Sequence, residues 1–249
     1  MIKVKKNAIK YKDTDGHMQN VDILCQIGTL SAGESEFGES YWIENLSGRD
    51  SYNNVFAKWK SEKIPLIDTS KATSMQRAFD YANIKELPPL DFTNVKDCYT
   101  TFNHCESLTK VPLLNLASAT RLDNMFASCS VLESIEVENT SNVTNWNYFA
   151  ATNSKLKSVK TLDLSGRTTT GDLFQNSQNI ETLLFVPNTI KTSITFVKLS
   201  KLSAESIQSI IDGLATVETQ QTLTLHEDVK SKLTENQLTT ITNKNWVLA

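Results

Sequence analysis

The sequence predicts an α/β fold in which short repeats stack into a solenoid closed at both ends, and three observations support this prediction. Two further apolar positions follow each of the first five repeated phenylalanines at similar distances, as Leu108 and Val111 follow Phe102. An Asp or Asn then recurs near the point where each repeat turns. The phenylalanines themselves recur at intervals of 23, 24, 23, 25 and 22 residues, at Phe79, Phe102, Phe126, Phe149, Phe174 and Phe196.

Residues 1–60 do not follow this period and are predicted to form a β-rich cap or an attachment module. Ile9 and Tyr11 alternate with polar residues and Asp15-Gly16 supplies a tight turn, so residues 8–25 are predicted as a β-hairpin. The returning strand is expected to carry Val21, Ile23 and Cys25. Bulky residues that would cover the open end of the stack follow at Tyr41, Trp42, Ile43, Val55, Phe56 and Trp59.

Within residues 61–201, each repeat is predicted to contribute one short helix and one short strand. Spacings of three and four residues, as in Ala72, Met75 and Phe79, indicate one apolar stripe on a helix. The residues after each phenylalanine then follow the L-x-x-L-x-L form of a leucine-rich repeat strand, which predicts a parallel β-sheet.

The recurring Asp and Asn are predicted to satisfy the backbone of the turns. A row of catalytic or calcium-binding carboxylates is the alternative, and it is disfavoured because two of the five members are amides. The column consists of Asp68, Asp91, Asn115, Asn139 and Asp163.

Residues 202–249 leave the period and are predicted to form an α/β cap that seals the end of the stack. Ser203 caps a predicted helix whose apolar face includes Ile207, Ile210 and Leu214. A strand over residues 222–225, further helical turns and a closing apolar segment complete this prediction.

The four cysteines are predicted to have different roles. Cys98 occupies a core position of its repeat, whereas Cys105 and Cys129 each stand three residues after a phenylalanine. Stacking would bring these two close, so a disulfide is conceivable, but free buried thiols are favoured for a chain folded in a cytoplasm. Cys25 is not assigned a role.

Composition argues against several classes of function. The net charge of −3 and pI of 5.7 disfavour a general nucleic-acid binder or a binder of anionic membranes. The amino terminus has no apolar run typical of a secretory signal, and no stretch approaches the roughly 18 apolar residues of a membrane span. The expected site of folding is therefore a cytoplasm.

Two motifs in neighbouring repeats resemble those of a known family. Phe-x-x-Cys-x-x-Leu-x-x-Val at residues 102–111 and Phe-x-x-Cys-x-x-Leu-x-x-Ile at residues 126–135 resemble the BspA-type leucine-rich repeat. The later repeats depart from it, since Thr152 and Ser177 stand where the cysteine is expected.

The flanking segments resemble a narrower group. Residues 8–19 resemble the start of structural proteins in the tails of phages and prophages of Gram-positive bacteria, and residues 202–249 resemble the ends of repeat proteins from that setting. This resemblance implies a virion tail protein assembled in the host cytoplasm. Its implied partners are other tail proteins and a host-surface protein or glycan.

The sequence contains no group of residues whose types and spacing predict catalysis. The three histidines, His17, His104 and His226, lie in different parts of the chain and are interpreted as surface residues. No metal or cofactor motif is complete, and residues 13–16 hold only half of a calcium loop, so a hairpin turn is favoured there. No catalytic residue, cofactor or metal is therefore predicted.

Two rows of outward positions on the predicted sheet are the candidate binding residues. The first is polar and consists of Glu86, Lys110, Ser134, Ser158 and Thr182. The second is mostly apolar and consists of Leu90, Leu114, Glu138, Leu162 and Val186. Either small bulges turn the second row into the core, which is favoured, or the row is an exposed strip that needs a partner.

The expected function is a non-enzymatic tail protein that uses its repeat surface for host-receptor binding or baseplate assembly. A bacterial surface adhesin is the alternative among binding proteins. A depolymerase of envelope glycans is the enzymatic rival, with Glu136 and Glu138 as its nearest carboxylates. An oligomer is compatible with the sequence, which contains no heptad run to decide it.

Overall fold

The computed structural model describes residues 9–12, 18–20, 41–43, 48–64 and 66–249. In this part of the chain the strands are β1 (Ile9–Lys12), β2 (Met18–Asn20), β3 (Tyr41–Ile43), β4 (Leu114–Asn115), β5 (Ser134–Glu138), β6 (Ser158–Leu162), β7 (Thr182–Phe185), β8 (Ile194–Phe196), β9 (Gln221–Leu225) and β10 (Trp246–Leu248). The helices are α1 (Ala204–Gly213), α2 (Glu227–Lys230) and α3 (Glu235–Asn243). The fold is mixed α/β with parallel sheets, as the sequence predicts.

The amino-terminal strands form an antiparallel sheet in the order β2-β1-β3. Pairing of Lys12 with Met18 confirms a hairpin in this region, and pairing of Ile9 with Ile43 adds the third strand. The predicted turn at residues 15–16 and the predicted apolar residues of the returning strand lie outside the described residues.

Successive repeats lie side by side and are joined by backbone hydrogen bonds. The N–H of Tyr52 donates to the carbonyl of Ser74 at 2.9 Å, and the N–H of Met75 donates to Asp97 at 2.9 Å. Single parallel bridges join the same column from repeat to repeat, at Ser51, Ser74, Asp97, Arg121 and Asn145. Residues that are one sequence period apart therefore lie side by side in the structure.

The predicted helix in each repeat is wrong, because these residues form consecutive turns. The N–H of Ala78 donates back three residues to Met75, while the N–H of Phe79 donates to Thr101 of the next repeat. Two successive turns place residues three and four apart on the inside, which is the same spacing as one helical stripe. The periodicity alone could not separate the two structures.

Ring stacking connects the repeats through the core. The centroids of Phe56, Phe79, Phe102 and Phe126 follow one another at 5.2, 5.2 and 5.3 Å, with planes within 2°, 9° and 11°. Phe56 therefore opens the column one repeat earlier than predicted. Its repeat was missed because a Trp, Trp59, stands where the next repeats have Ala82 and Cys105.

The phenylalanine of the repeat after Phe126 stands one residue before the position that Phe126 holds in its own repeat. The N–H of Phe102 donates to Met125, but the N–H of Phe126 donates to Phe149 itself. Ala150 therefore occupies the position that the other repeats give to phenylalanine, and Phe149 meets Phe126 edge-on at 87°. We call this position, held by Phe56, Phe79, Phe102, Phe126, Ala150 and Phe174, the ring slot.

The strand predicted in each repeat is confirmed in the later repeats, where the parallel sheet has the order β4-β5-β6-β7. In the earlier repeats it is reduced to a single bridge between Glu86 and Lys110. Pro88 and Pro112 follow these two residues closely, and a proline lacks the N–H that a ladder requires.

The carboxyl-terminal prediction is confirmed in its elements. Ser203 caps α1 by accepting a hydrogen bond from the N–H of Ser206. β8, which precedes α1, forms a second parallel sheet with β9 and β10, so Phe196 lies on a strand and not in a turn.

The cysteines of the repeats are buried free thiols, as favoured from the sequence. The Sγ of Cys105 donates to the carbonyl of Phe79 at 3.1 Å, and Cys129 donates to Phe102 in the same way at 3.1 Å. In the next repeat Asn153, and not Thr152, takes this place and donates to Phe126 at 2.8 Å. In these three repeats, the residue three positions after the ring slot therefore donates to a backbone carbonyl inside the core.

Candidate functional site

The structure pairs the members of the predicted polar row in two groups. Ser134 pairs with Ser158, and Ser158 with Thr182, while Glu86 pairs with Lys110. Glu86, Lys110 and Ser134 are exposed, and the other two are half-buried.

The apolar row is largely a packing row. Leu114 and Leu162 are buried, and Leu90 packs against the core. Leu114 pairs with Val137 and Leu162 pairs with Phe185, so the period misplaces the row by one residue at Glu138 and Val186, both half-buried. The interpretation of this row as an exposed strip is wrong for Leu114 and Leu162, and the packing alternative is confirmed there.

Bulges are the reason for this offset. The pairing of β6 with β7 shifts register between Val159 and Leu162, and Thr161 between them has a left-handed backbone with φ of 65°. The extra residue turns Leu162 inward. The leucine that stays outside is Leu113, which is 54% exposed although the strand pattern predicts it in the core.

The predicted role in the turns is confirmed for four members of the column, whereas the amide of Asn139 donates to Oδ1 of Asn115. The Oδ1 atoms of Asp68, Asp91 and Asp163 accept hydrogen bonds from backbone N–H groups two residues later, at 2.9, 2.8 and 2.9 Å. The N–H and hydroxyl of Ser70 hold the pKa of Asp68 below its ordinary value. Among the described residues, no group of three or more His, Cys, Asp or Glu is arranged to hold a metal ion.

A second surface lies on the turns around the ring slot, and its backbone is unusual. The residue two positions before the slot is left-handed at Asn54, Arg77, Thr100, Asn124 and Tyr148. The residue two positions after it is left-handed at Lys58, Tyr81, His104, Ser128, Thr152 and Asn176. We call the surface formed by these residues and their exposed neighbours on the turns the turn face.

A left-handed backbone costs most residues about 1–2 kcal/mol, and Asn tolerates it better than bulky side chains do. Asn54, Asn124 and Asn176 fit this requirement. The other members of the two columns are not Asn, and among them Tyr81 and Tyr148 are 52% and 40% exposed.

Aromatic rings on the turn face are aligned from repeat to repeat. Tyr81 and His104 occupy the same position in neighbouring repeats, and their ring centroids lie 4.3 Å apart with planes within 6°. Nδ1 of His104 is 3.7 Å from a carboxylate oxygen of Glu106. The repeat spacing thus stacks the two rings face to face at the surface.

Arginine and carboxylate groups are paired on the same face. The Cζ of Arg121 lies 4.0 Å from the ring centroid of Tyr99, and its guanidinium donates to both oxygens of Asp123 at 2.6 and 3.0 Å. These hydrogen bonds raise the pKa of Arg121. Arg77 pairs with Asp80 at 3.0 Å, so neither arginine presents an unpaired charge.

A buried arginine serves the fold. Arg167 donates to the hydroxyl of Thr192 at 3.0 Å and to the carbonyl of Ser193 at 3.1 Å, and its burial lowers its pKa to about 10. It links the last regular repeat to the segment that leads into β8.

Sequence reasoning missed the turn face because it assigned the residues before each phenylalanine to helices and those after it to extended chain. His104 was correctly expected near the surface after Phe102, but its stacking partner was not foreseen. His226 caps α2 through Nδ1, which accepts from the N–H of Asp228 at 3.1 Å, and His17 lies outside the described residues. The sequence signal that could have located the turn face is that Tyr81 and His104 each stand two residues after a ring-slot phenylalanine.

Comparison with known families finds two overlapping matches, over residues 50–159 and 73–187, to the family described as "Mycoplasma protein of unknown function, DUF285". Together the matches span more than half of the chain. The chain belongs to this family. The DUF285 domain is associated with BspA-like surface repeat proteins, which agrees with the BspA-type resemblance of the repeats.

The second DUF285 match ends just after β7. Searches of curated proteins and of solved structures find no significant match. Among the described helices, none combines the length and the apolar character that crossing a bilayer requires.

Proposed function

We propose that this DUF285 protein is a non-enzymatic binding protein whose repeats form a leucine-rich-repeat solenoid. The observation that carries the proposal is the stacked pair of the exposed Tyr81 and the half-buried His104, held in register by backbone hydrogen bonds between repeats. Tyrosine and arginine are among the side chains most enriched where protein surfaces bind partners. Tyr81, Tyr148 and Arg77 are exposed on the turn face.

Rigidity is the proposed source of affinity. Tyr81 donates its N–H to the carbonyl of Asn103 at 2.8 Å, and His104 donates to Ala127 at 2.9 Å. Their backbones are therefore ordered before a partner arrives, which lowers the entropic cost of association.

The setting that we propose first is the tail of a phage or prophage. The resemblance of residues 8–19 and 202–249 to tail proteins supports it. In that setting residues 1–60 attach the protein to other tail proteins, residues 61–201 present the binding surface, and residues 202–249 close the repeats.

A bacterial surface adhesin is the second candidate, and the association of the family with BspA-like surface repeat proteins favours it. Immunogold labelling of producing cells distinguishes the two settings. Label on purified particles supports the tail protein, whereas label on the intact cell surface without particles supports the adhesin.

The binding function is tested by incubating the labelled protein with cells of the natural host. We expect saturable binding that falls when Tyr81 and His104 are both replaced by Ala. Replacing Glu86 and Lys110 together by Ser on the strand side is the matched control. Absence of saturable binding by the wild-type protein contradicts the proposal.

The depolymerase alternative has a direct test. Glu136 pairs across strands with Lys160, and Glu138 pairs with Asn115, so both carboxylates have neighbours on the sheet. We expect no reducing ends to be released from host envelope polysaccharide. Release that disappears in a Glu136→Gln or Glu138→Gln variant contradicts a non-enzymatic function.

A further inference from the structure

We propose that the outer side of the four-stranded sheet is a contact surface between two copies of this chain, related by a two-fold axis that runs between β5 and β6. We call this surface the strand face. The side chains that define it are exposed or half-buried, and they are Leu113, Glu133, Glu136, Lys157, Lys160 and Leu184. The inference goes beyond the proposed binding function and does not depend on it.

Opposite charges are divided between the two central strands. Glu136 on β5 is the register partner of Lys160 on β6. Glu133 just before β5 lies beside Lys157 just before β6, and the N–H of Lys157 donates to the carbonyl of Glu133 at 2.9 Å. The ion pairs formed among the described residues include none of these four side chains. One strand therefore presents negative charge to a partner and its neighbour presents positive charge.

Apolar side chains lie at both ends of the charged row. Leu113 lies beside Glu136, because the residues that follow these two pair in the sheet. Leu184 lies beside Lys160, because the residues that precede these two pair in the sheet. Leu113 is 54% exposed, and Leu184 is half-buried. The row across the sheet is therefore Leu-Glu-Lys-Leu, with apolar ends and opposite charges at its centre.

This row is complementary to itself. A two-fold rotation about an axis parallel to the strands, between β5 and β6, places Glu136 of each copy opposite Lys160 of the other. The same rotation places Leu113 of each copy opposite Leu184 of the other. A contact between identical chains related by a two-fold axis requires this reciprocity, in which each residue meets the residue that meets it.

The positions on one side of this row obey the same symmetry. Glu133 of each copy lies opposite Lys157 of the other. Ser134 lies opposite Ser158, and these short side chains let the two sheets approach. Opposite charges at facing positions select this arrangement and guide two copies toward it. A polyanion or a polycation would meet like charge on one of the two strands, so a second copy matches the strand face better than either.

The test begins with sedimentation velocity of the full-length protein over a concentration series. We expect a dimer of twice the chain mass of 27.9 kDa. Glu136→Lys and Lys160→Glu each place like charges opposite one another and are expected to weaken the dimer about tenfold or more. An equimolar mixture of the two variants is expected to restore it, because one copy then presents two lysines and the other two glutamates.

The matched controls are Glu218→Lys and Lys232→Glu, exposed positions of the carboxyl-terminal segment that undergo the same changes in charge. They are expected to dimerise like the wild type, alone and mixed. The pair Glu133→Lys and Lys157→Glu repeats the exchange at the neighbouring positions, so the test does not depend on the folding of one pair of variants.

A wild type that stays monomeric throughout the concentration series overturns the inference and leaves the strand face to solvent or to a different protein. A dimer that all four strand-face variants retain overturns the location. Mixtures that stay monomeric in both exchange pairs overturn the two-fold arrangement. Each of these outcomes leaves the proposed binding function standing.

Discussion

Leu113 and Leu114 are adjacent residues in opposite environments. Leu114 is 1% exposed and pairs with Val137 in the sheet, whereas Leu113 is more than half exposed. A carboxylate has a much higher free energy in an apolar site than in water. The two positions therefore form a matched pair for substitution.

We expect Leu114→Asp to unfold the protein or to lower its stability by about 4 kcal/mol or more, beyond the range for Leu→Ala. Leu113→Asp is expected to change stability by less than about 0.5 kcal/mol, as is usual for surface substitutions. Urea unfolding followed by circular dichroism measures both. Similar stability of the two variants contradicts the assignment of Leu114 to the core.

The buried thiols predict a dependence of stability on alkaline pH. Burial raises the pKa of Cys129 from an ordinary value of 9.0 to about 12, and burial raises that of Cys105 as well. The folded state thus keeps the thiol proton at pH values where the unfolded chain loses it. The stabilisation is complete below pH 9 and is lost as pH rises toward 12.

Cys129→Ser tests this prediction, because serine donates a similar hydrogen bond and does not titrate in this range. We expect the wild type to lose about 1.4 kcal/mol per pH unit relative to the variant above pH 9. Urea midpoints at several pH values measure the difference. A difference that stays constant from pH 8 to 11 contradicts the buried protonated thiol.

At the scale of elements, α1 closes the edge of the four-stranded sheet. The N–H groups of Leu183 and Phe185 on β7 donate to the hydroxyls of Ser206 and Ser209, each at 2.9 Å. A Cβ at Gly213 would lie 3.1 Å from both Phe185 and Ile190, so the helix packs closely on the preceding segment. An open edge is thereby replaced by a helix.

We expect Ser206→Ala to destabilise the protein by about 2 kcal/mol, because it leaves the N–H of Leu183 without a partner and removes one of the two donors to the carbonyl of Glu181. Ser203→Ala, which removes the helix cap but leaves the hydrogen bond from Leu183 to Ser206 in place, is the control and is expected to cost about 1 kcal/mol. Hydrogen exchange at the Leu183 amide measures the local effect. An unchanged exchange rate contradicts the role of α1 as an edge cover.

The carboxyl-terminal elements could be predicted because Ser203, Ile207 and Ile210 carry local signals. The turns of the repeats could not, because Ala72, Met75 and Phe79 have spacings that suit a helix as well. The offset at Phe149 was also hidden, since both Phe149 and Ala150 are apolar and only the hydrogen bonds distinguish their slots.

The candidate site was harder to predict than the fold. The strand rows follow from the period, and the polar row assembles as expected. The turn face depends on left-handed backbone at Tyr81 and Tyr148, and tyrosine gives no local signal for that conformation.

At the scale of the whole molecule, the repeats and the carboxyl-terminal elements share one hydrophobic core that extends from Tyr52 to Trp246. Each repeat bonds to its neighbours, so the last one needs a cover. Residues 202–249 provide it, since Ile207, Ile210 and Ile211 of α1 are buried in that core.

We expect a chain truncated after residue 201 to aggregate or to lose cooperative unfolding, because the edge of β7 and its apolar neighbours become exposed. Truncation after residue 245, which removes only β10, is the milder control. Size-exclusion chromatography and thermal melts follow both. A monomer with the wild-type melting temperature after the larger truncation contradicts the role of residues 202–249.

The one-residue offset beside Phe126 also bears on how such a chain can lengthen during evolution. Duplicating a unit between Phe56 and Phe126 would insert a copy whose ring stacks on those on both sides. A duplicate of the unit that holds Ala150 would instead add a second slot without a ring and interrupt the stack again. Growth in repeat number is therefore expected in the segment that precedes Ala150.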